Sequence, residues 1–324
     1  MHPTPPPRTP RHRHADTHAP GGRRRALGGL AALVAAGLGG CALPALQPLP
    51  ALPAGASADP EAAELLLDSA RAHGLAGWQA VSDLNVSYRG EWGLLLDTLQ
   101  PELVDAAFRQ RSEERLLPAA GLIAQQHRGP GGRKQVLRRG GSAGLVATEG
   151  GTVQVRFNGQ ASDDPARLDA AALVADGYRL FLLGPLALQG RDGLGLALDG
   201  EERIDERLCD RLRVRLAPGL GRSDADTLLL FIDRHERLMR RVRFSLEGLA
   251  STRGAIAEVD TFGFIERHGV RWPTRFHERL LRPIPGLPVH DWRLTGLDIN
   301  RGWSADEVGE DAWRGRAAAP ATPI

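Results

Sequence analysis

The chain has 324 residues, 42% of them hydrophobic and 25% charged, with a formal net charge of +2 and two cysteines. The positive balance comes from the N-terminus: residues 1–40 hold six Arg against one Asp, leaving 35 basic and 38 acidic residues beyond them. A net of −3 over the body argues against a basic nucleic-acid-binding protein, and two cysteines leave neither a disulfide framework nor a thiolate metal site.

Residues 1–22, rich in Pro, Arg and His, show no apolar periodicity and stand outside the fold. Arg23-Arg24-Arg25 then precede an uncharged run from Ala26 to Gly40. A basic cluster before a short apolar segment is the pattern of a secretory signal, and the run is too short for an ordinary membrane span. The three arginines leave both Sec and twin-arginine export open. The run ends in Leu38-Gly39-Gly40-Cys41, which resembles the lipobox of bacterial lipoproteins. There, small residues admit the peptidase and the freed cysteine accepts a diacylglycerol. Two or three acyl chains, at about 0.8 kcal/mol per buried methylene, hold a protein stably on a membrane. The alternative is an ordinary secretory signal followed by an incidental cysteine. The expected division is therefore a signal peptide at 1–40 and a lipidated Cys41 heading a Pro-rich tether at 41–58. A folded domain at 59–310 and a disordered tail at 311–324 follow.

The tether carries Pro44, Pro48, Pro50 and Pro53. At about 3 Å per residue it reaches on the order of 50 Å. A helix is predicted next: Asp59 suits the N-cap, Pro60 the first turn, Glu61 and Glu64 the positive end of the dipole, and Gly74 the stop. Leu65, Leu66 and Ala70 form its apolar stripe. A second helical stretch is expected near Pro101 to Gln110. Elsewhere the period is two. Leu84, Val86 and Tyr88 alternate with polar neighbours, as do Val153, Val155 and Phe157, then Leu212, Val214 and Leu216, then Val242, Phe244 and Leu246. Such sets put apolar residues on one sheet face and polar ones on the other. Turns are predicted at Gly129-Pro130-Gly131-Gly132, Gly150-Gly151, Asn158-Gly159, Asp199-Gly200 and His268-Gly269. This is an antiparallel meander, and over 200 residues of it imply a strongly curved sheet or partial barrel. One element interrupts it: from Asp164 to Leu188 a helix-prone stretch leads into a dense apolar run broken at Gly184-Pro185. It reads equally as a lid over the open sheet or as a buried connecting helix.

A lipobox, a tether, an N-terminal helix and a long meander with a helical insertion resemble the lipoprotein-localisation superfamily of LolA- and LolB-like carriers and receptors. Phe231-Ile232-Asp233 to Arg241-Val242-Arg243-Phe244 is similar to its strand–turn–strand hairpin, and Gly269-Val270-Arg271-Trp272-Pro273 to a strand entry common in such envelope proteins. The resemblance covers about residues 60–308. It implies a mainly β fold, a half-open antiparallel β-barrel with a helical plug or lid, whose apolar inner face holds acyl chains. No functional residue is carried over except Cys41. Ala42 follows it where the family places an inner-membrane retention Asp, which favours the outer membrane.

Catalytic constellations are sparse. His235-Glu236 and His277-Glu278 lack the second His of a zinc-protease helix, and His235 falls in a predicted turn. His277, His290 and Asp291 are candidate metal ligands if the fold gathers them. Ser223-Asp224-Ala225-Asp226 lacks the rest of a calcium loop and reads as a turn. Cys209 reads as a small buried hydrophobe. Arg211, Arg213 and Arg215, with Arg240, Arg241 and Arg243, form either a basic band or a solvated face balanced by acids. The expectation is a non-enzymatic, cofactor-free lipoprotein, anchored through its lipid, that binds a lipid or lipoprotein acyl chain. Leu212, Val214, Leu216, Val242, Phe244 and Leu246 are the candidate cavity wall. The alternatives are an assembly lipoprotein contacting envelope proteins through a filled core and, third, a periplasmic hydrolase.

Overall fold

The computed structural model describes residues 49–141, 148–309 and 317–321. The expected signal peptide, Cys41 and the first part of the tether lie outside the described residues. Helix α1 (Pro60–Ala72) forms where its sequence predicts. The Asp59 carboxylate accepts from the Glu61 N–H at 2.9 Å, and Gly74 turns away with φ 94°. Its buried stripe is Ala62, Leu65, Leu66 and Ala70, and a short helix, α2 (Leu75–Gln79), follows.

The helix expected over Pro101 to Gln110 is instead two single turns, α3 (Leu96–Leu99) and α4 (Pro101–Val104). Asp105 then adopts left-handed backbone with φ 47°. The Arg109 guanidinium takes the Leu103 carbonyl, which a further helical turn would have used.

Six strands make a first meander: β1 (Leu84–Trp92), β2 (Arg111–Leu117), β3 (Leu122–Gly129), β4 (Gly132–Gly141), β5 (Thr148–Phe157) and β6 (Gln160–Ser162). Helices α5 (Pro165–Leu183) and α6 (Pro185–Leu188) separate them from β7 (Gly195–Ile204), β8 (Arg207–Leu216), β9 (Asp226–Asp233), β10 (Met239–Ser245) and β11 (Ile256–Phe262). A small hairpin of β12 (Ile265–Arg267) and β13 (Val270–Trp272) leads to β14 (Arg275–Arg282), β15 (Leu287–Ile299) and α7 (Ala305–Gly309). Thirteen strands form one antiparallel sheet in the order β6-β5-β4-β3-β2-β1-β15-β14-β11-β10-β9-β8-β7. The sheet is mainly β, open, and not closed into a barrel, with β6 and β7 as its two edges.

Two predicted turns are not turns. Gly150-Gly151 lies within β5, where a Cβ on Gly151 would meet the Arg138 guanidinium at 2.5 Å; glycine there admits a close side chain. Asp199-Gly200 lies within β7, at the register shift between Leu198 and Glu201, so it marks a bulge. The other three signals are hairpin turns, with Asn158 and Gly159 at φ 51° and 88°, and His268 and Gly269 at φ 54° and 70°. Within the segment expected to be a disordered tail, residues 317–321 lie along β15: the Leu297 N–H donates to Ala319 at 2.6 Å and the Ala321 N–H to Thr295 at 3.2 Å.

The helix-prone insertion is a buried plug. Helix α5 starts at Asp164, which caps the Ala166 N–H at 3.0 Å, and breaks at Gly184-Pro185 as predicted. From Ala170 to Leu183 all residues but Val174 are buried, so the helix is covered on every side. Its polar anchor is Asp176. Arg138 donates to that carboxylate at 3.0 Å and to the Gly221 carbonyl at 2.8 Å, and the Gly221 N–H donates to the same carboxylate at 2.9 Å. Arg138 and Asp176 are 1% and 0% exposed. Removing one partner strands the other charge in a low dielectric, so Asp176→Ala should cost about 3–5 kcal/mol in urea unfolding. A loss within the range of an exposed substitution would show that the pair does not anchor the plug.

Candidate functional site

Strand pairing assembles the six predicted wall residues. Leu212 stands opposite Leu230, which stands opposite Val242; Val214, Leu228, Phe244 and Ala257 form the next row. Directly opposed residues share a face, so these rows make one continuous apolar surface on the concave side. Leu216 and Leu246 extend it at the strand ends. The surface is covered: the most exposed of the six, Leu246, is 7% exposed. The ring of Phe181 on α5 lies 5.2 Å from that of Phe244. In this state α5 occupies the space that the sequence assigned to a ligand.

The other half of the concave face has a different chemistry. On β2, β3 and β4 the inward positions are Ser112, Glu114 and Leu116, then Ile123, Gln125 and His127, then Lys134, Val136 and Arg138. Every one of them is buried. Tyr88 and Trp92 on β1 and His290 and Trp292 on β15 border this polar wall.

Tyr178 of α5 meets it at the centre. Arg109 donates to the Tyr178 hydroxyl at 3.2 Å, and that hydroxyl shares a 3.1 Å hydrogen bond with His290 Nδ1. The Arg109 guanidinium lies 4.6 Å from the Trp92 ring centre and 5.5 Å from that of Tyr178. His290 stacks on Trp92 at 3.9 Å, and Trp292 on Phe276 at 4.9 Å. Arg109 has no carboxylate partner at ion-pair distance among the described residues; its cation is held by π faces and neutral oxygens.

Desolvation sets the charge states here. Burial holds His127 and His290 well below the usual imidazole range, with Arg109 adding to the effect. Burial raises Glu114 to about 8 against the pull of its Gln125 hydrogen bond and Arg109, and raises half-buried Glu278 to about 7. The Tyr88 and Tyr178 hydroxyls are pushed up as well. Lys134, the chain's single lysine, is lowered to about 8 by burial although Asp105 lies 2.6 Å away. Gln125 Oε1 and His127 Nε2 are buried with no protein hydrogen-bond partner. A small cavity lined by Tyr88, Arg109, His127, Tyr178, His290 and Trp292 lies between these groups. What results is a buried set of polar groups around the Arg109 guanidinium, suited to a polar or anionic headgroup.

The remaining candidates separate. Register places His277 opposite Asp291 and Glu278 opposite His290, so strand alternation puts His290 on the concave face and the other two outside. His277 is hydrogen-bonded to Asp291, and no cluster of three metal-ligating side chains occurs among the described residues. His235 is exposed in the β9–β10 turn. Cys209 is fully buried in β8 beside Ile204, Leu229 and Phe231, and burial raises its thiol to about 11. Asp226 leads β9, accepting from the Leu220 N–H at 2.7 Å and the Ser245 hydroxyl at 2.9 Å. Of the two readings of the Arg-rich faces, the one balanced by acids describes five of the six arginines, Arg215 having no ion pair among the described residues: Arg211 pairs with Asp199 and Glu202, Arg213 with Asp199, and Arg240 with Asp233 and Glu236. Arg241 pairs with Glu258 and Asp260, and Arg243 with Glu202 and Glu258. Sequence reasoning missed Arg109, Glu114 and His127 as a group. For Glu114 and His127 the one signal is a polar residue at the apolar phase of an alternating strand, which is weak until the neighbouring strands are known; Arg109, in the turn before β2, has none.

No protein-family model and no curated protein matches the sequence. Among solved structures the chain is similar to a DUF1329 family protein from Desulfovibrio piger, with 11% identity and a TM-score of 0.49, over 78% of this chain and 98% of that one. It is similar to a LolA superfamily protein from Nitrosomonas europaea, with 15% identity and a TM-score of 0.47, over 77% and 98%. It is also similar to the lipoprotein LppX of Mycobacterium tuberculosis, with 11% identity and a TM-score of 0.23, over 73% and 98%.

The charge states make a pH prediction. A folded-state pKa of about 8 against the usual 4.5 means that the folded chain keeps a proton the unfolded chain releases in that window. The contribution of Glu114 to stability is therefore full below about pH 4.5 and falls as pH rises toward 8. In urea unfolding, the parent should lose stability relative to Glu114→Gln between pH 5 and pH 8. Parallel profiles would mean that Glu114 ionises normally in the fold.

Proposed function

We propose that the domain binds an amphiphile, the acyl chain of a lipid or lipoprotein with its polar head, in the space that α5 fills in the closed state. The observation that supports this reading is the division of the concave face. The β8–β10 half is continuous apolar surface, and the β2–β4 half presents buried polar groups around Arg109. Burial of a chain gives about 0.8 kcal/mol per methylene, which the apolar half supplies. The polar half receives the headgroup. The attachments of α5 are in part polar, Asp176 to Arg138 and Tyr178 to Arg109 and His290. A buried ion pair adds little net stability over an apolar contact, so α5 is held less firmly than its buried area suggests. The protein is read as a binder in the cell envelope, held through Cys41 and facing the periplasm at the outer membrane. A second reading, an assembly lipoprotein that contacts envelope proteins, is favoured by the filled core.

Native mass spectrometry of detergent-free Cys41→Ser protein, with lipid extraction of the same sample, separates the two. A stoichiometric lipid is expected. A bare mass with no binding of a fluorescent fatty acid would leave the assembly reading. Arg109→Met should weaken an anionic amphiphile roughly tenfold or more while sparing the uncharged alcohol of equal chain length, since a hydrogen bond to a charged group is worth about 1.5–3 kcal/mol. Equal losses would remove Arg109 from the headgroup site. In cells, Cys41→Ser should abolish labelling by radioactive palmitate and release the protein from washed membranes. Retained label would place the lipid on another residue.

A further inference from the structure

The outer face of the sheet carries a line of arginines that the concave site does not use. Register pairs Arg133 with Arg128, Arg128 with Arg111, Arg111 with Arg89, Arg89 with Arg293, and Arg293 with Arg275. Six arginines on six adjacent strands thus stand side by side, in one row perpendicular to the chain direction. At about 4.8 Å per strand the row spans about 24 Å. It ends against Phe262, which is paired with Arg275 and is 40% exposed. Five of the six arginines are exposed and Arg133 is half-buried. None has a carboxylate at ion-pair distance among the described residues, in contrast to the paired arginines of β8 and β10. Like charges directly opposite on neighbouring strands destabilise a sheet, so the row has an energetic cost that the fold itself does not offset.

The row crosses the sheet at one register level. On β2 to β4 it lies beside the β3–β4 turn, where Arg111 opens β2 and Arg128 and Arg133 flank the turn; on β14 and β11 it lies at the opposite strand end, where Arg275 opens β14 and Phe262 closes β11. A cleft of about 440 Å³ opens beside the row, bordered by Arg89, Arg275, Arg293 and Phe262 and, on its other side, by Glu91 and Asp291. Guanidinium groups bind phosphate oxygens bidentately, and an exposed row of them ending at an exposed Phe262 matches the headgroup layer of an anionic bilayer.

We propose that this arginine row docks the outer face of the sheet on anionic phospholipid headgroups, with Phe262 against the membrane. The contact is independent of what the concave face holds. It fixes which face of the sheet lies toward the lipid, which an acyl anchor on a long tether does not do.

The test uses the full chain with Cys41→Ala, so that no acyl group contributes, and sedimentation with vesicles of equal parts phosphatidylglycerol and phosphatidylcholine. The presequence is the same in every variant, so differences report the row. Each basic residue near such a surface is worth about a fivefold change in partition, so R89Q/R111Q/R293Q should bind about a hundredfold less. The control R71Q/R203Q/R253Q removes the same charge elsewhere and should stay within a few-fold of the parent. The triple lysine replacement at the row should keep most of the binding. Removing like-charge neighbours should leave the urea midpoint at or above that of the parent, which confirms folding. Equal partition of row and control variants would overturn the proposal. So would a row variant that loses binding to inorganic polyphosphate but keeps its vesicle binding, since the row would then read a soluble polyanion.

Discussion

A sheet built of hairpins keeps each strand beside its predecessor, and the one seam between the two meanders is β1 against β15. That arrangement leaves β6 at one edge and β7 at the other, consecutive in sequence and farthest apart in the sheet. The chain between them has to cross the open side, and a helix crossing there must bury every face. Helix α5 meets that demand with alanine, leucine and phenylalanine around most of its circumference. Its midpoint is fixed to both meanders at once, through Arg138 on β4 and Gly221 before β9. The plug, the filled core and the closed state all follow from that crossing.

The concave face also shows how burial selects protonation. The ionisable groups His127, His290 and Glu114 are each displaced toward the neutral form by the same desolvation. The Arg109 guanidinium lies over the rings of Trp92 and Tyr178 and donates to the Leu103 carbonyl. Lys134 and Arg138 on the same wall are paired with Asp105 and Asp176, whereas Arg109 has no carboxylate at ion-pair distance among the described residues, so Arg109 is the cation left to meet a headgroup.

The outer face carries one residue type with two outcomes. On β8, β10 and β14, Arg211, Arg213, Arg241, Arg243 and Arg279 interleave with Asp199, Glu202, Glu258 and Asp260 into a network of ion pairs. On β1 to β4, β15 and the start of β14, arginine meets arginine across every strand pair. Composition counts the two sets alike. Only the register of each hairpin decides whether a guanidinium finds a carboxylate or another guanidinium.

Local rules made much of the fold legible. The Asp59-Pro60 and Asp164-Pro165 helix starts, the break at Gly184-Pro185 and the strands around Val86, Val155, Val214 and Phe244 depend on neighbours within a few positions. Caps, turns and alternation are set at that range. The six wall residues were found because their alternation names their face, but the sequence left open whether that face was empty or filled. Glycine pairs were misread at Gly150-Gly151 and Asp199-Gly200 because close packing and a bulge ask for the same residue as a turn. The polar site and the arginine row were invisible for a stronger reason. Arg109, His127, Tyr178 and His290 come from four distant segments, and Arg89, Arg111 and Arg293 align through pairings that one shifted residue would undo. The sequence by itself determined which residues turn inward on each strand. The tertiary structure decided what they meet there, because that depends on strand order and register, which are settled only when the two meanders close on each other around α5.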